Sequence, residues 1–385
     1  MKLPERYHRH EQAYVKHELL SGYLEVLLMI IGQWAKEIVY IDCFAGPWCD
    51  DSDDIEGTSI ARSIAIMQKA RDSLASAGKY VTMRALYIER DDDAYTRLQN
   101  YLATKRTAVE TQCLKGDFVE LRDQILQWAG SRAFAFFFVD PKGYRDVALP
   151  HLRPLLERPQ SEFLINFMYS FVNMANSDKN RQAFSKYLLE LFGEIPVVDG
   201  LSPVEREDRL LSLYTDRVKD GVGPDARATA VKVLDPTKDR TKYHLVYLTR
   251  NPLGIIKFME QSERCAIVQE RVRLDAKLRA KEERTGTGDL FADDDGDDSV
   301  STMAATDFQQ PLREHWLGWV STVPKAFTKE DFASMIETTG AYPSQIQMAL
   351  GSLISEGRIQ NLDSRGKRRK NFVHFSKNER LVLFQ

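Results

Sequence analysis

Residues 38–47 read Ile-Val-Tyr-Ile-Asp-Cys-Phe-Ala-Gly-Pro. A β-branched and aromatic run ends in an acid, then breaks into a small-residue turn. Continuous apolar runs of this kind mark strands buried on both faces, as in parallel sheets covered by helices. In open α/β sheets, ligands bind beyond the carboxyl ends of the strands. Asp42 is therefore delivered to the edge where a nucleotide-like ligand would sit. Three more strand-then-acid patterns follow, and together they restrict the chain to a repeated β-α architecture.

The candidate strands are Ile38–Phe44, Thr82–Glu89, Glu110–Leu114, Ala133–Asp140 and Glu162–Phe167. Helical segments fall between them, near 58–76, 91–104, 118–129 and 146–157. Ahead of the first strand, residues 11–36 carry Leu20, Tyr23, Leu24, Leu27, Leu28, Ile31 and Trp34 at helical spacing. After a polar, helical stretch come Ala228–Leu234 and Tyr243–Thr249, joined by the turn Asp235-Pro236-Thr237-Lys238-Asp239. Five parallel strands plus a terminal antiparallel pair predict an α/β, Rossmann-like, seven-stranded sheet of the class I methyltransferase type.

At 385 residues the chain is long enough for two or three domains. We expect a helical lead-in over 1–36, the α/β domain over 37–284, an acidic linker over 285–306 and a compact tail over 307–385. The linker carries Asp293-Asp294-Asp295-Gly296-Asp297-Asp298, whose low hydrophobicity and like charge cannot offset chain entropy. The tail reads as three helices, then strand Arg358–Leu362, a basic turn and strand Phe372–Phe375, the pattern of a winged helix-turn-helix. Helix 343–356 would be its recognition helix, with Ser344, Gln345 and Gln347 facing outward.

A net charge of −3 argues against a generally basic coat, so any nucleic-acid surface must be local. Arg365, Lys367, Arg368, Arg369 and Lys370 supply one at the predicted hairpin tip. Each phosphate that such a wing neutralises releases counterions, which gives salt-dependent affinity for DNA or RNA without sequence specificity. The four cysteines form no C-x-x-C pair and no metal cage, and they read as reduced thiols of a cytoplasmic protein. No apolar run approaches membrane-spanning length, and no signal-peptide core opens the chain.

The acid series matches what S-adenosylmethionine requires. Its sulfonium and amino acid need an acidic, small-residue loop after the first strand, here Asp42, Phe44, Ala45, Gly46 and Pro47. Its ribose needs a carboxylate after the second, here Glu89. Its adenine needs a polar acceptor after the third, here Asp117. A dinucleotide would want G-x-G-x-x-G at the first turn, which holds one Gly, and no Walker A loop occurs. The fourth strand ends Asp140-Pro141-Lys142-Gly143-Tyr144. This resembles the Asp-Pro-Pro-Tyr signature of amino-methyltransferases acting on bases, with one extra residue before the Tyr. There the acid and a backbone carbonyl accept from the exocyclic amine, and the ring stacks on the flipped base. Asp140, Pro141 and Tyr144 are thus the catalytic candidates.

Taken together, Tyr14-x-Lys16-His17-x-x-Leu20-x-x-Tyr23-Leu24, Tyr40 to Pro47, Phe137 to Gly143 and Tyr243 to Arg250 resemble the three-Cys-motif partner protein (TcmP) family over about residues 10–265. Trp48 stands where the family loop has Gly. The resemblance implies a class I methyltransferase fold. It also implies a protein partner with a three-cysteine motif, of radical-SAM-like or phage Gp37/Gp68-like type. Two functions follow as expectations. One is a SAM-dependent methyltransferase acting on a base amino group, with the winged tail delivering nucleic acid. The other is a non-catalytic adaptor that docks the three-Cys partner on nucleic acid.

Overall fold

The structure, a computed structural model, describes residues 3–4, 7–8, 10–46, 58–141, 146–285, 309–364 and 371–384. The chain divides into two compact units, Met1–Arg250 and Asn251–Gln385.

The first unit holds α1 (Glu11–Ile31), β1 (Glu37–Asp42), α2 (Ser59–Ser76), β2 (Thr82–Glu89), α3 (Asp92–Thr104), β3 (Glu110–Lys115), α4 (Arg122–Ala129), β4 (Phe134–Val139), α5 (Leu149–Leu156) and β5 (Ser161–Phe167). It continues with α6 (Tyr169–Ala175), α7 (Ser185–Phe192), α8 (Pro203–Val222), β6 (Arg227–Leu234) and β7 (Thr241–Thr249). The sheet order is β3-β2-β1-β4-β5-β7-β6. Strands β1 to β5 run parallel, and β7 enters antiparallel between β5 and β6. This is the seven-stranded, mostly parallel sheet of the class I methyltransferase type. Because β1 is central and paired on both sides, Asp42 ends up beside the carboxyl ends of β2 and β4.

Strand alternation splits the core between two faces. Val39, Ile41, Phe137, Val139, Phe163 and Ile165 pack with Leu152, Leu155 and Tyr214 from α5 and α8. On the other face lie Tyr40, Tyr87, Phe136 and Tyr247, whose rings meet one another and Tyr23 of α1. Tyr23 donates to Glu162 Oε2 at 2.8 Å, and Thr249 donates to Oε1 at 2.8 Å. This buried polar cluster fixes the rotation and height of α1 over the sheet. Burial holds the Glu162 carboxyl above its ordinary range.

Helix α1 stops earlier than the sequence pattern suggests. Gly32 caps it, and a Cβ there would lie 2.3 Å from Leu74 Cδ1 of α2. Trp34, read as part of the apolar stripe, therefore lies beyond the helix and is 57% exposed. The β6–β7 connection is the expected hairpin turn. Asp235 Oδ1 accepts from the backbone N–H groups of Thr237 and Lys238, at 3.1 Å each.

The second unit begins with α9 (Pro252–Thr285), the long helix expected at the end of the preceding domain. It continues with α10 (Gln309–Trp319), β8 (Lys325–Ala326), α11 (Lys329–Thr339), α12 (Pro343–Ser355), β9 (Ile359–Asn361) and β10 (Arg380–Leu383). The three strands form an antiparallel sheet in the order β8-β10-β9. Trp316 is fully buried and donates Nε1–H to the Ile346 carbonyl at 2.9 Å, tying α10 to α12.

Two expectations for the tail are corrected. Phe372–Phe375 is not a strand, and β9 pairs with β10 instead. The Gln347 side-chain oxygen accepts from the N–H groups of Phe372 and Val373 at 2.8 and 3.1 Å, so this segment needs no strand partner. Gln345 and Gln347 are buried rather than outward, and of the three residues expected to face out only Ser344 does so. Gln345 Oε1 accepts from Tyr342 N–H at 2.9 Å, which makes it a helix cap. The basic residues Arg365, Lys367, Arg368, Arg369 and Lys370 lie outside the described residues, as does the linker from 286 to 306.

Candidate active site

The carboxyl ends of β1, β2, β3 and β4 carry the predicted acids. Asp42 is the last residue of β1 and is fully buried. Its Oδ1 accepts from Phe44 N–H at 3.1 Å and its Oδ2 from the Ser59 hydroxyl, at the start of α2, at 3.3 Å. The loop leaving β1 stays bonded to both neighbours: Cys43 N–H donates to the Phe138 carbonyl at 2.9 Å, and Ala45 N–H to the Ile88 carbonyl at 2.8 Å. Phe44 and Gly46 remain partly accessible, and Ala45 is buried. Pro47 and Trp48 lie outside the described residues.

Burial pushes the Asp42 carboxyl up to about 7, and the nearby Asp140 charge adds to the rise. The Phe44 and Ser59 hydrogen bonds and the Lys16 charge oppose it. A carboxylate so perturbed at a sheet edge is the electrostatic mark of a functional position. Its ionised form gains from any cation brought beside it.

Glu89, the last residue of β2, is 5% exposed, and its Oε1 accepts from Asp91 N–H at 2.6 Å. Among the described residues, the hydrogen bond to its carboxylate is this one to Oε1. Asp117 follows β3. Its Oδ1 accepts from Val119 N–H at 2.8 Å, and its Oδ2 lies 3.7 Å from Arg90. Gly116, at φ +145°, makes the sharp exit from β3 and donates to the Glu89 carbonyl at 3.0 Å. Asp117 and Glu89 are thus held as neighbours.

Asp140 follows β4, and both of its oxygens are engaged. Lys16 Nζ from α1 contacts Oδ2, and Asn166 Nδ2 from β5 donates to Oδ1 at 2.6 Å. Sequence reasoning missed both partners. Asn166 Oδ1 is buried with no hydrogen-bond partner among the described residues. Pro141 is buried beside Asp140, and Tyr144 lies outside the described residues. The Lys16 ammonium lies 5.8 Å from the centre of the Tyr243 ring, and the Tyr243 hydroxyl donates to the Gln12 carbonyl at 2.8 Å. His17, the neighbour of Lys16, places Nδ1 3.0 Å from the Tyr7 hydroxyl.

A second polar pair was also missed. His244 of β7 is buried, with Nε2 3.0 Å from Glu207 Oε1 of α8. The Thr241 hydroxyl donates to the same oxygen at 2.8 Å. Burial works to raise the Glu207 carboxyl, yet the adjacent His244 ring, the Thr241 hydrogen bond and the Lys232 charge hold it at about 2. Burial lowers the His244 imidazole against the pull of Glu207. The Tyr169 ring packs edge-on against His244, on the α5–α8 face of the sheet and away from Lys16.

No cluster of three or more metal-ligating side chains occurs among the described residues. Nor, among them, is any helix long and apolar enough to cross a membrane.

No family model matches the chain, and no curated protein matches it. Among solved structures it is similar to protein LPL1258 from Legionella pneumophila, at 10% identity and TM-score 0.37, over 69% of this chain and 92% of that one. It is similar to an O-methyltransferase from Bacillus cereus in complex with SAH, at 13% identity and TM-score 0.34, over 60% and 79% of the two chains. It is also similar to the O-methyltransferase TomG from Streptomyces achromogenes in complex with SAM, at 12% identity and TM-score 0.33, over 64% and 90%. Similarities this low assign neither an activity nor a substrate.

Proposed function

We propose that the first unit binds S-adenosylmethionine across the carboxyl edge of its sheet and directs methyl transfer to an amino group. The observation that carries the reading is the buried Asp42 at the end of the central strand, flanked by Glu89 on one side and Asp140 on the other. When bound, the cofactor supplies an electrophilic methyl group on a sulfonium. Asp42 gives that cation a carboxylate in a dry setting. The Glu89 carboxylate takes a ribose hydroxyl, and Asp117 lies beside it for the adenine. Phe44, Ala45 and Gly46 form the near wall, and Pro47 is assigned to the site by its place in the sequence alone. Asp140, the Pro141 carbonyl and Asn166 Oδ1 only accept hydrogen bonds, so together they suit an acceptor group rich in N–H donors. Holding that amine in line is most of the catalysis asked of the protein.

The acceptor we propose is the exocyclic amine of a nucleic-acid base, with Tyr144 stacking on the base. The tail is proposed to be a winged-helix module that carries nucleic acid through Arg365, Lys367, Arg368, Arg369 and Lys370. Its order of helices and its three-stranded antiparallel sheet support that reading. A three-Cys-motif protein is proposed as the partner, on the family resemblance. The test is a labelled-methyl transfer screen over DNA, RNA and protein, with Asp140→Ala as the control. Label on an amino group of a base, lost in the variant, is the expected result. Label confined to protein would remove the nucleic-acid acceptor.

The second reading, a non-catalytic adaptor, is favoured by one observation. Both Asp140 oxygens are already occupied by Lys16 and Asn166. Binding of cofactor with no transfer to any acceptor would select it.

A further inference from the structure

We propose that Lys16 is itself a methyl acceptor, its side-chain amine being methylated by the site it closes. The inference rests on the cofactor reading above. In that reading an acceptor amine is directed to Asp140, and the structure already places a primary amine of the chain there.

Three observations converge on Lys16. Its Nζ contacts one Asp140 oxygen while Asn166 holds the other, so the amine is on the carboxylate rather than loosely near it. Its charge acts on Asp42 as well as on Asp140, which puts the ammonium within range of the acids that end β1 and follow β4. Beside it, Asn166 Oδ1 is a buried acceptor with no partner among the described residues. A buried acceptor left unpaired is costly and marks room for an N–H donor.

The placement of Lys16 is built into the fold. One turn earlier on α1, the Gln12 carbonyl accepts from Tyr243, and two turns later Tyr23 is locked to Glu162. The Tyr243 ring lies beneath the amine. The side chain is 12% exposed, whereas Lys115, paired with Asp92 at the rim, is 51% exposed. Lys16 is therefore delivered to the site by packing and does not sample it from solvent.

The step balances as follows. The ammonium first gives one proton to the Asp140 carboxylate. The freed Nζ lone pair forms a bond to the methyl carbon of the sulfonium donor. The carbon–sulfur bond breaks and its electron pair stays on sulfur, leaving a neutral thioether. The positive charge passes to nitrogen, and the product is a methylammonium that can pair again with Asp140 once that acid releases its proton to water. Methylation keeps the charge of a lysine, so the Asp140 pair survives the change.

The experiment uses the purified full chain and S-adenosylmethionine bearing a deuterated methyl group, with no other acceptor present. Peptide mass mapping should find one labelled methyl on Lys16, and the mark as unlabelled methyl in protein taken directly from the expressing cells. Asp140→Asn should slow labelling at Lys16 at least tenfold, with melting used to confirm that the variant is folded. Cofactor binding is measured in parallel by calorimetry. Heat of binding with no methyl on Lys16, labelled or unlabelled, overturns this inference and leaves the cofactor reading standing. Label at Lys16 that is indifferent to Asp140→Asn overturns it too. No heat and no label removes both.

Discussion

Replacing Asp42 by Asn should stabilise the first unit, and increasingly so as pH rises. In the fold, burial raises the Asp42 carboxyl from 3.8 to about 7. The folded protein therefore holds this proton more tightly than the unfolded chain does. Below the ordinary pKa both states are protonated and the stabilising effect of the protonated fold is complete. As pH rises from there through about 7, the unfolded chain ionises first and that stability is lost. Each pKa unit is worth about 1.4 kcal/mol, so the full loss is about 4 kcal/mol. Asn keeps an oxygen to accept from Phe44, turns its NH2 toward the Ser59 hydroxyl, which can accept in turn, and has nothing to titrate. The stability difference between variant and wild type should therefore widen by roughly 3 kcal/mol between about pH 5 and about pH 8. For a domain of this size each kcal/mol moves the melting temperature by about 2–4 °C, giving about 6–12 °C of widening. Thermal melting of both proteins across that range is the assay. A difference that is flat with pH, or that narrows as pH rises, would refute the reasoning.

Three further outcomes are expected. Tyr23→Phe removes a hydroxyl from the buried Glu162 and should cost about 1–3 kcal/mol, read from melting of the full chain. Gln347→Ala strands the Phe372 and Val373 N–H groups and should cost about 1–3 kcal/mol in the second unit, with amide exchange speeding up locally at those two positions. Neutralising Lys367, Arg368, Arg369 and Lys370 together should weaken duplex binding and lower the slope of log affinity against log salt by about 3–4. Unchanged binding would assign the tail to protein docking.

The sheet was legible because β1, β2 and β4 are apolar runs that end in an acid or run straight into one. Asp42, Glu89 and Asp140 mark the strand ends to within one residue, and β7 followed from its hairpin with β6. Lys16 and Asn166 were not legible as site residues. The contact between Lys16 and Asp140 spans 124 residues, and the rotation of α1 that creates it is set by Tyr23, Glu162 and Tyr247. His244 and Glu207 meet only because β7 runs antiparallel beside β5 and faces α8. In the tail, Phe372 to Phe375 has the β propensity of a strand, but Gln347 claims two of its N–H groups. Gln345 and Gln347 were read as outward because they are polar. They are buried with their hydrogen bonds made, a state that periodicity does not distinguish from exposure.

The central claim is that the acids at the carboxyl edge hold an adenosyl sulfonium. Calorimetric titration of the full chain with S-adenosylmethionine tests it directly, with Asp42→Asn and Glu89→Ala in parallel. Because Asp42→Asn is expected to be more stable than wild type, lost binding in that variant cannot be ascribed to unfolding. The account predicts saturable heat for wild type and at least a tenfold weaker affinity for each variant, about 1.4 kcal/mol or more. No heat from the wild-type protein, or equal affinity in all three, would contradict it.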